Sequence, residues 1–397
     1  MAGTSAILFI PDDTGRTGLS QPLLLTPVMG EALLSWLCGA LYRAGTRRLL
    51  LVCQDQWTAQ ALGACPGTIL AEAASPGNAG PDRLSGFLAQ AEPWEEIVTV
   101  LTGPVIFDRF TAFCATSEPS GAPGPGCGVW DVAMEALREA LAQAEQEEDF
   151  DFLSFLHAAG VSYTGRDGLY AVSGGEDLQN WRAVLRRAMV RELDENGAEI
   201  WDPDSVWVGP EVTVAPGAVI LPGTLLQGRT SLGEGCVVGP NTRLQNAVIG
   251  PGAVVNMSQV TDASLGPGAS VGPYACLQAG TVLEQQASVG PFSQVQGTAL
   301  GQGAGMDGLT YLGPGRVDAW SRVEHGVAAA GPEPVQMGRN VQVGAGAILT
   351  GPVTLGDESL VSPGSAITED VPERALGTTP LRQINQKDYL QRRKKLK

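Results

Sequence analysis

From Val208 to Ile367 aliphatic residues recur at intervals of six, and that period admits few folds. Val208, Val214, Ile220, Leu226, Leu232, Val238 and Leu244 are each six apart. Steps of five and six carry the series through Ile249, Val255, Val260, Leu265, Val271, Leu277, Leu283, Val289 and Val295. Met337, Val343, Leu349, Leu355, Val361 and Ile367 close it. A 3.6-residue helix and a freely alternating strand both fail this period. A coil with three flat faces fits it, each face giving one inward aliphatic side chain, with about eighteen residues per turn. The small residue that usually follows the aliphatic one permits a tight corner. The expected fold is a left-handed parallel β-helix of hexapeptide repeats, stabilised by each coil covering the next. A disordered Gly/Pro-rich linker would not hold this register.

The chain before the repeat reads differently. Ala6–Ile10, Leu49–Val52 and Ile97–Leu101 are short apolar runs of strand length. Leu33, Leu34, Leu37 and Leu41 recur with helical spacing between the first two runs. Strands alternating with helices imply an α/β domain with a parallel sheet, Rossmann-like in layout. Breaker-rich loops interrupt it at 73–82 and 115–126, and the acidic run from Glu145 to Asp151 reads as a solvated helix end. Asp177 to Glu192 is amphipathic, with Leu178, Trp181, Leu185, Ala188 and Met189 on one face, Arg186 and Arg187 off it, and Gly197 placed as a stop. The expected domains are therefore 1–175, a connecting helix at 176–197, a β-helix at 198–370 and a tail at 371–397.

Composition excludes several function classes. A net charge of −17 argues against sequence-independent nucleic-acid binding, which needs a basic face. The basic cluster Arg392, Arg393, Lys394, Lys395 and Lys397 reads as a solvated terminus. Seven scattered cysteines without CxxC spacing suit reduced thiols better than a disulfide framework or a zinc site. No apolar run reaches membrane-spanning length, and no signal peptide is legible. A cytoplasmic protein without a membrane or nucleic-acid partner is expected.

The order of parts, together with WDPDSVWVGPEV (201–212), the stretch Val219–Val255, SVGPYACLQAGTVL (270–283), LTYLG (309–313) and GPVTLGD (351–357), resembles one family closely. That family is the bifunctional N-acetylglucosamine-1-phosphate uridyltransferase/glucosamine-1-phosphate acetyltransferase. The tail LRQINQKDY (381–389) is also similar to its C-terminal segment, whereas the N-terminal likeness rests on element order and on phrases such as PVMGEALL (27–34). The resemblance implies UDP-N-acetylglucosamine biosynthesis, Mg²⁺ and acetyl-CoA as the family's cofactors, and a homotrimer. A trimer also suits a prism that can bury flat faces in a closed ring.

The sequence departs from that family where chemistry is carried. The family's phosphate-cradling loop, LAAGxGTR followed by PK, here reads Phe9-Ile10-Pro11-Asp12-Asp13-Thr14-Gly15-Arg16. Arg16 matches the family's Arg, but Asp12 and Thr14 replace glycines, and Leu23 takes the Lys position after Pro22. Added carboxylates oppose a triphosphate, which needs cations and backbone N–H groups. Pro104 stands where the family's Mg²⁺-binding Asp is expected, and Ser173-Gly174 near its second metal contact. In the acetyltransferase half, Gly308 occupies the general-base position before Leu309-Thr310-Tyr311. Tyr311 is retained; Gln278 and Gln296 replace the cations that hold the sugar phosphate; the segment Val327–Met337 lacks the family's Asn-Tyr-Asp-Gly. Pro380 aligns with the Arg that meets coenzyme A, with Arg382 nearby.

Only His157 and His325 could replace the lost base. His157 reads as a packed helix residue, and His325 follows Glu324 one coil beyond Gly308. Arg16 and Tyr311 remain as family-matched substrate contacts, Arg382 as a cofactor contact and His325 as the candidate base, with no metal ligand and no cofactor assigned. Two readings stand: a non-catalytic trimeric scaffold or partner of an active paralogue, and an active coenzyme A-dependent acyltransferase or sugar-phosphate nucleotidyltransferase with displaced residues.

Overall fold

The computed structural model describes residues 5–28, 30–65, 67, 69–74, 87, 89, 97–103, 105–107, 121–122, 128–133, 135, 137, 169–171, 177–331 and 333–379. They fall into two compact units, one comprising 1–213 with 225–229 and the other 214–224 with 230–397.

In the first unit, β1 (Ser5–Phe9), β2 (Arg48–Val52), β3 (Leu70–Ala74) and β4 (Ile97–Thr102) form a parallel core in the order β3-β2-β1-β4. The pairing Ile7↔Leu50 and Ile7↔Val100 places β1 at its centre. Ala6, Ile7 and Leu8 are fully buried, as continuous apolar runs covered on both faces require. The sheet is not wholly parallel: β5 (Gly121–Ala122) and β6 (Gly128–Ala133) extend it, with β6 antiparallel to β4. Helix α1 (Thr14–Thr17) is a single turn, and α2 (Leu33–Arg43) buries Leu33, Leu34, Leu37 and Leu41, the four residues whose spacing marked it. A shorter helix, α3 (Thr58–Gly63), precedes β3.

Helix α4 (Asp177–Glu195) buries Leu185, Ala188, Met189 and Leu193, while Arg187 faces solvent. It stops at Gly197, whose φ of 89° is the left-handed conformation a glycine adopts cheaply. Arg43 at the end of α2 ties this unit together. It pairs with Glu192 of α4 at 2.9 Å and donates to the carbonyls of Pro210 and Val212 at 2.8 and 3.2 Å.

The hexapeptide repeat forms a parallel β-helix with three sheets of 11, 10 and 9 strands. In the second unit, successive coils stack in register, as in Val255↔Val271, Val271↔Val289 and Val289↔Met306 on one sheet. The inward aliphatic residues are buried as the spacing requires, except Val214, which is half-buried. The repeat also continues between Val295 and Ala329, where Leu300, Met306, Leu312, Val317, Val323 and Ala329 are buried, before a longer step of eight to Met337. Two of those steps are five residues long, so a strict period of six skips them.

Corner residues are divided by task. The glycine after an inward residue is needed for close coil stacking: a Cβ on Gly233 would lie 2.7 Å from the backbone nitrogen of Pro251 in the next coil. Positive φ also falls on later corner residues, which need not be glycine, as Asn241, Tyr274, Phe292 and Leu309 show, while Gly239 and Gly272 take it directly after inward Val238 and Val271. Buried hydroxyls complete the corners. Thr224, Ser258, Ser293, Thr310 and Ser321 each donate to a backbone carbonyl, whereas the buried Ser359 hydroxyl has no partner among the described residues.

Candidate functional site

The N-terminal loop follows β1, at the carboxyl ends of the parallel strands where ligands bind in open α/β sheets. One of its backbone donors, the Thr14 N–H, is already taken by a side chain of the loop. Asp12 Oδ1 accepts the Thr14 hydroxyl at 2.6 Å and the Thr14 backbone N–H at 3.2 Å. Gln56 Nε2 donates to Asp12 Oδ2 at 3.4 Å. The hydrogen bonds from Thr14 hold the Asp12 carboxyl below the usual carboxylate range, so the loop carries negative charge at neutral pH. Buried Asp13 accepts the Leu23 backbone N–H through Oδ1 at 2.9 Å. Leu23 is itself fully buried in a turn at Leu23–Leu25, so the family's Lys position points into the core rather than toward a phosphate.

Arg16 lies on α1, and its side chain is outside the described residues. Pro104, His157, Ser173, Gly174, Pro380 and Arg382 are also outside them. Gly103 ends β4 beside β1, donating its N–H to the Phe9 carbonyl at 3.3 Å. Among the described residues no group of three or more His, Cys, Asp or Glu is arranged to hold a metal ion.

In the second unit, Gly308, Tyr311, Gln278, Gln296 and His325 sit on consecutive coils of one region. The strand pairs Gly305↔Arg322 and Met306↔Val323 carry the register forward, so His325 stacks one coil beyond Gly308. Leu277↔Val295 places Gln278 and Gln296 on adjacent coils at one corner. Tyr311 is half-buried on a sheet between Gln294 and Ala328.

Gly308 is closed to any side chain. A Cβ there would stand 2.7 Å from the Pro291 carbonyl oxygen and 3.1 Å from Pro291 Cγ. The neighbouring Leu309 is fixed by its N–H bond to the same carbonyl at 2.8 Å and takes the positive φ of the corner. A histidine at 308 would require this backbone to move. Gln278 and Gln296 are neutral and supply no charge for a phosphate, and the segment after Ala330 is a short crossover to the strand Val335–Met337.

His325 is exposed, and its imidazole has no hydrogen-bond partner among the described residues. The adjacent Glu324 does not orient it: Glu324 Oε2 accepts the Ala345 N–H at 2.8 Å. A general base needs an orienting partner or a substrate within reach, and the described structure gives His325 no such partner. Two coils before Gly308, an open groove of about 530 Å³ is lined by Asn241, Ser258, Gln259, Tyr274 and Cys276, with no cation among its lining residues. An exposed Tyr274–Phe292 stack, with ring centroids 5.1 Å apart, rises beside it. Nothing in the six-residue spacing distinguishes these outward corner residues.

A largely parallel α/β sheet and a six-residue-repeat parallel β-helix in one chain define a two-part, hexapeptide-repeat protein. The chain is a divergent GlmU-like protein. It is 32% identical over 292 residues to the bifunctional protein GlmU of Carboxydothermus hydrogenoformans, covering 70% of this chain and 66% of that one. With the bifunctional protein GlmU of an Exiguobacterium species it shares 34% identity over 276 residues, covering 66% and 61%. The Streptomyces coelicolor GlmU matches at 31% over 199 residues, covering 48% and 41%. The chain thus spans about two thirds or less of the length of these relatives. No protein-family model matches.

Among solved structures, LpxA from Acinetobacter baumannii aligns with a TM-score of 0.27 and 18% identity over 49% of this chain and 77% of LpxA. The inositol-1-phosphate CTP transferase from T. maritima aligns with a TM-score of 0.35 and 13% identity over 47% of this chain and 97% of that one. Likenesses at this level carry no functional weight.

Proposed function

We propose that this chain is a GlmU-like protein that has lost uridyl and acetyl transfer and acts as a trimeric scaffold, or as a partner of a catalytically competent paralogue. The observation that carries the proposal is Gly308. The position matched to the family's general base holds no side chain, and the backbone of Pro291 fills the space that a Cβ would need. An amine nucleophile attacking a thioester must lose a proton, so an acetyl-transfer site without a base forfeits much of its rate. The N-terminal site supports the same reading. Phosphoryl transfer relies on cations and metal to offset spread-out negative charge, whereas this loop adds the carboxylates of Asp12 and Asp13, and Asp12 already takes the Thr14 N–H and hydroxyl. Of the residues matched to the family by resemblance, Tyr311 lies on a β-helix strand opposite Gln294. Arg16 and Arg382 belong to the proposal as ligand contacts by resemblance alone.

The β-helix meanwhile keeps its buried repeat from Ile220 to Ile367, which favours a role for the scaffold itself. No helix among the described residues is long and apolar enough to cross a membrane. Release of free thiol from acetyl-CoA with glucosamine-1-phosphate tests the proposal, and no turnover above the uncatalysed rate is expected. The rival reading, an acyltransferase based on His325, rests on the placement of that residue one coil past Gly308. Turnover that disappears in His325→Ala would establish it and overturn the scaffold reading.

A further inference from the structure

Helix α2 and the turn after α3 bring two thiols together. Cys38 Sγ and Cys65 Sγ are 3.6 Å apart, although 27 positions separate them in sequence. Cys38 is fully buried on α2, and Cys65 is half-buried two residues past the end of α3. The approach is held by a second contact. Ser35, one helical turn before Cys38, donates its hydroxyl to the Ala64 carbonyl at 2.7 Å and so fixes the residue next to Cys65. Ala64 is also anchored through its N–H to the Gln60 carbonyl at 3.0 Å, and Cys65 through its N–H to the Leu62 carbonyl at 3.1 Å. The sulfurs need to close by only about 1.5 Å to reach bonding distance.

We propose that Cys38 and Cys65 form a vicinal dithiol that oxidises reversibly to an intramolecular disulfide, stapling α2 to the end of α3. The oxidant class is a small solvent disulfide such as oxidised glutathione. Cys65, the accessible partner, loses its proton to water, and its thiolate attacks one glutathione sulfur and expels glutathione thiolate. The Cys38 sulfur then gives up its proton and attacks Cys65 Sγ, breaking the mixed disulfide and releasing the second glutathione. Two protein thiols are oxidised, one glutathione disulfide is reduced, and two protons leave with two glutathione molecules. The order follows from the environment. The hydrogen bond with Cys65, followed by burial, pushes the Cys38 thiol well above its ordinary value, so Cys38 resolves rather than initiates. The third nearby thiol, Cys53, is fully buried, approaches the Thr58 hydroxyl at 3.7 Å, and is raised chiefly by burial.

The test treats the full chain with oxidised glutathione, alkylates remaining thiols and maps tryptic peptides by mass. Arg43, Arg47 and Arg48 separate the two cysteines into different tryptic peptides, and a second cleavage after Trp57 with chymotrypsin parts Cys65 from Cys53, which trypsin leaves together in 49–83. A linked Cys38–Cys65 peptide, lighter by two hydrogen atoms than the sum of its parts and lost on reduction, is expected. In Cys38→Ser, Cys65 is expected to stop at the glutathione adduct; in Cys65→Ser, Cys38 is expected to stay unmodified. Cys65 persisting as a glutathione adduct in the unsubstituted protein would overturn the proposal. So would both thiols staying reduced, or Cys65 linked to Cys53.

Discussion

Gly308→Ala is the smallest change that probes the coil corner on which the functional reading turns. The added Cβ would sit 2.7 Å from the Pro291 carbonyl oxygen and 3.1 and 3.3 Å from two carbons of its ring. A backbone oxygen cannot swing aside as a flexible side chain would, and the corner is also pinned by the Leu309 N–H bond to that oxygen. Relief must come from separating two stacked coils, a form of overpacking that costs about 1–3 kcal/mol. For a unit of this size each kcal/mol lowers Tm by about 2–4 °C, so a fall of about 2–12 °C is expected by calorimetry. Gly313→Ala is the matched control. Its Cβ would meet the Ala329 carbonyl at 3.3 Å, a contact that a shift of a few tenths of an ångström relieves. Gly308→His should show at least the same loss and no acetyl transfer, because Gln278 and Gln296 still offer no charge. An unchanged Tm for Gly308→Ala would refute the steric argument, and turnover by Gly308→His would refute the chemical one.

Three further outcomes follow from the described contacts. Arg43→Met strands Glu192 and the carbonyls of Pro210 and Val212, so a loss of roughly 1.5–3 kcal/mol is expected in urea unfolding, with part of it recovered in Arg43→Met/Glu192→Leu. Burial raises Glu31, Glu192 and Glu211 above the ordinary Glu value, with the Glu211 charge adding to Glu31 and Arg43 partly offsetting Glu192. The native state therefore binds more protons than the unfolded chain just above that value, and stability should fall as pH rises through the raised pKa values. Glu31→Gln should flatten that slope in urea midpoints measured against pH; a slope of opposite sign in the parent chain would contradict the assignment. Burial pushes Cys236 up to about 11, so it should resist alkylation near pH 8 in the folded chain and react only once the β-helix is unfolded.

Much of the architecture could be read from the sequence because the β-helix core depends on one residue in six. Val238, Leu244, Val255, Val271 and Leu277 are all buried where the spacing puts them. The interval between Val295 and Met337 was hidden by five-residue steps and by Met306 and Ala329 standing in for branched aliphatics. The buried Thr and Ser residues two positions before the inward aliphatic were a second, unused signal, visible at Thr242, Ser258 and Thr310. In the N-terminal unit, β1, β2, β4 and α2 were legible from apolar runs and helical spacing, whereas the antiparallel β6 was not. Its sequence, GVWDVA, carries no mark of strand direction. The altered sites were legible only as substitutions. That Asp13 accepts the Leu23 N–H, or that Pro291 crowds Gly308, depends on residues far apart in sequence and required coordinates.

Calorimetric titration of the full chain with acetyl-CoA, and separately with UTP and Mg²⁺, tests the central claim most directly. The account expects no saturable heat for either ligand, because the N-terminal loop presents the Asp12 carboxylate where a phosphate would bind, and Gly308, Gln278 and Gln296 supply neither base nor cation. Saturable, stoichiometric binding of either one would contradict it.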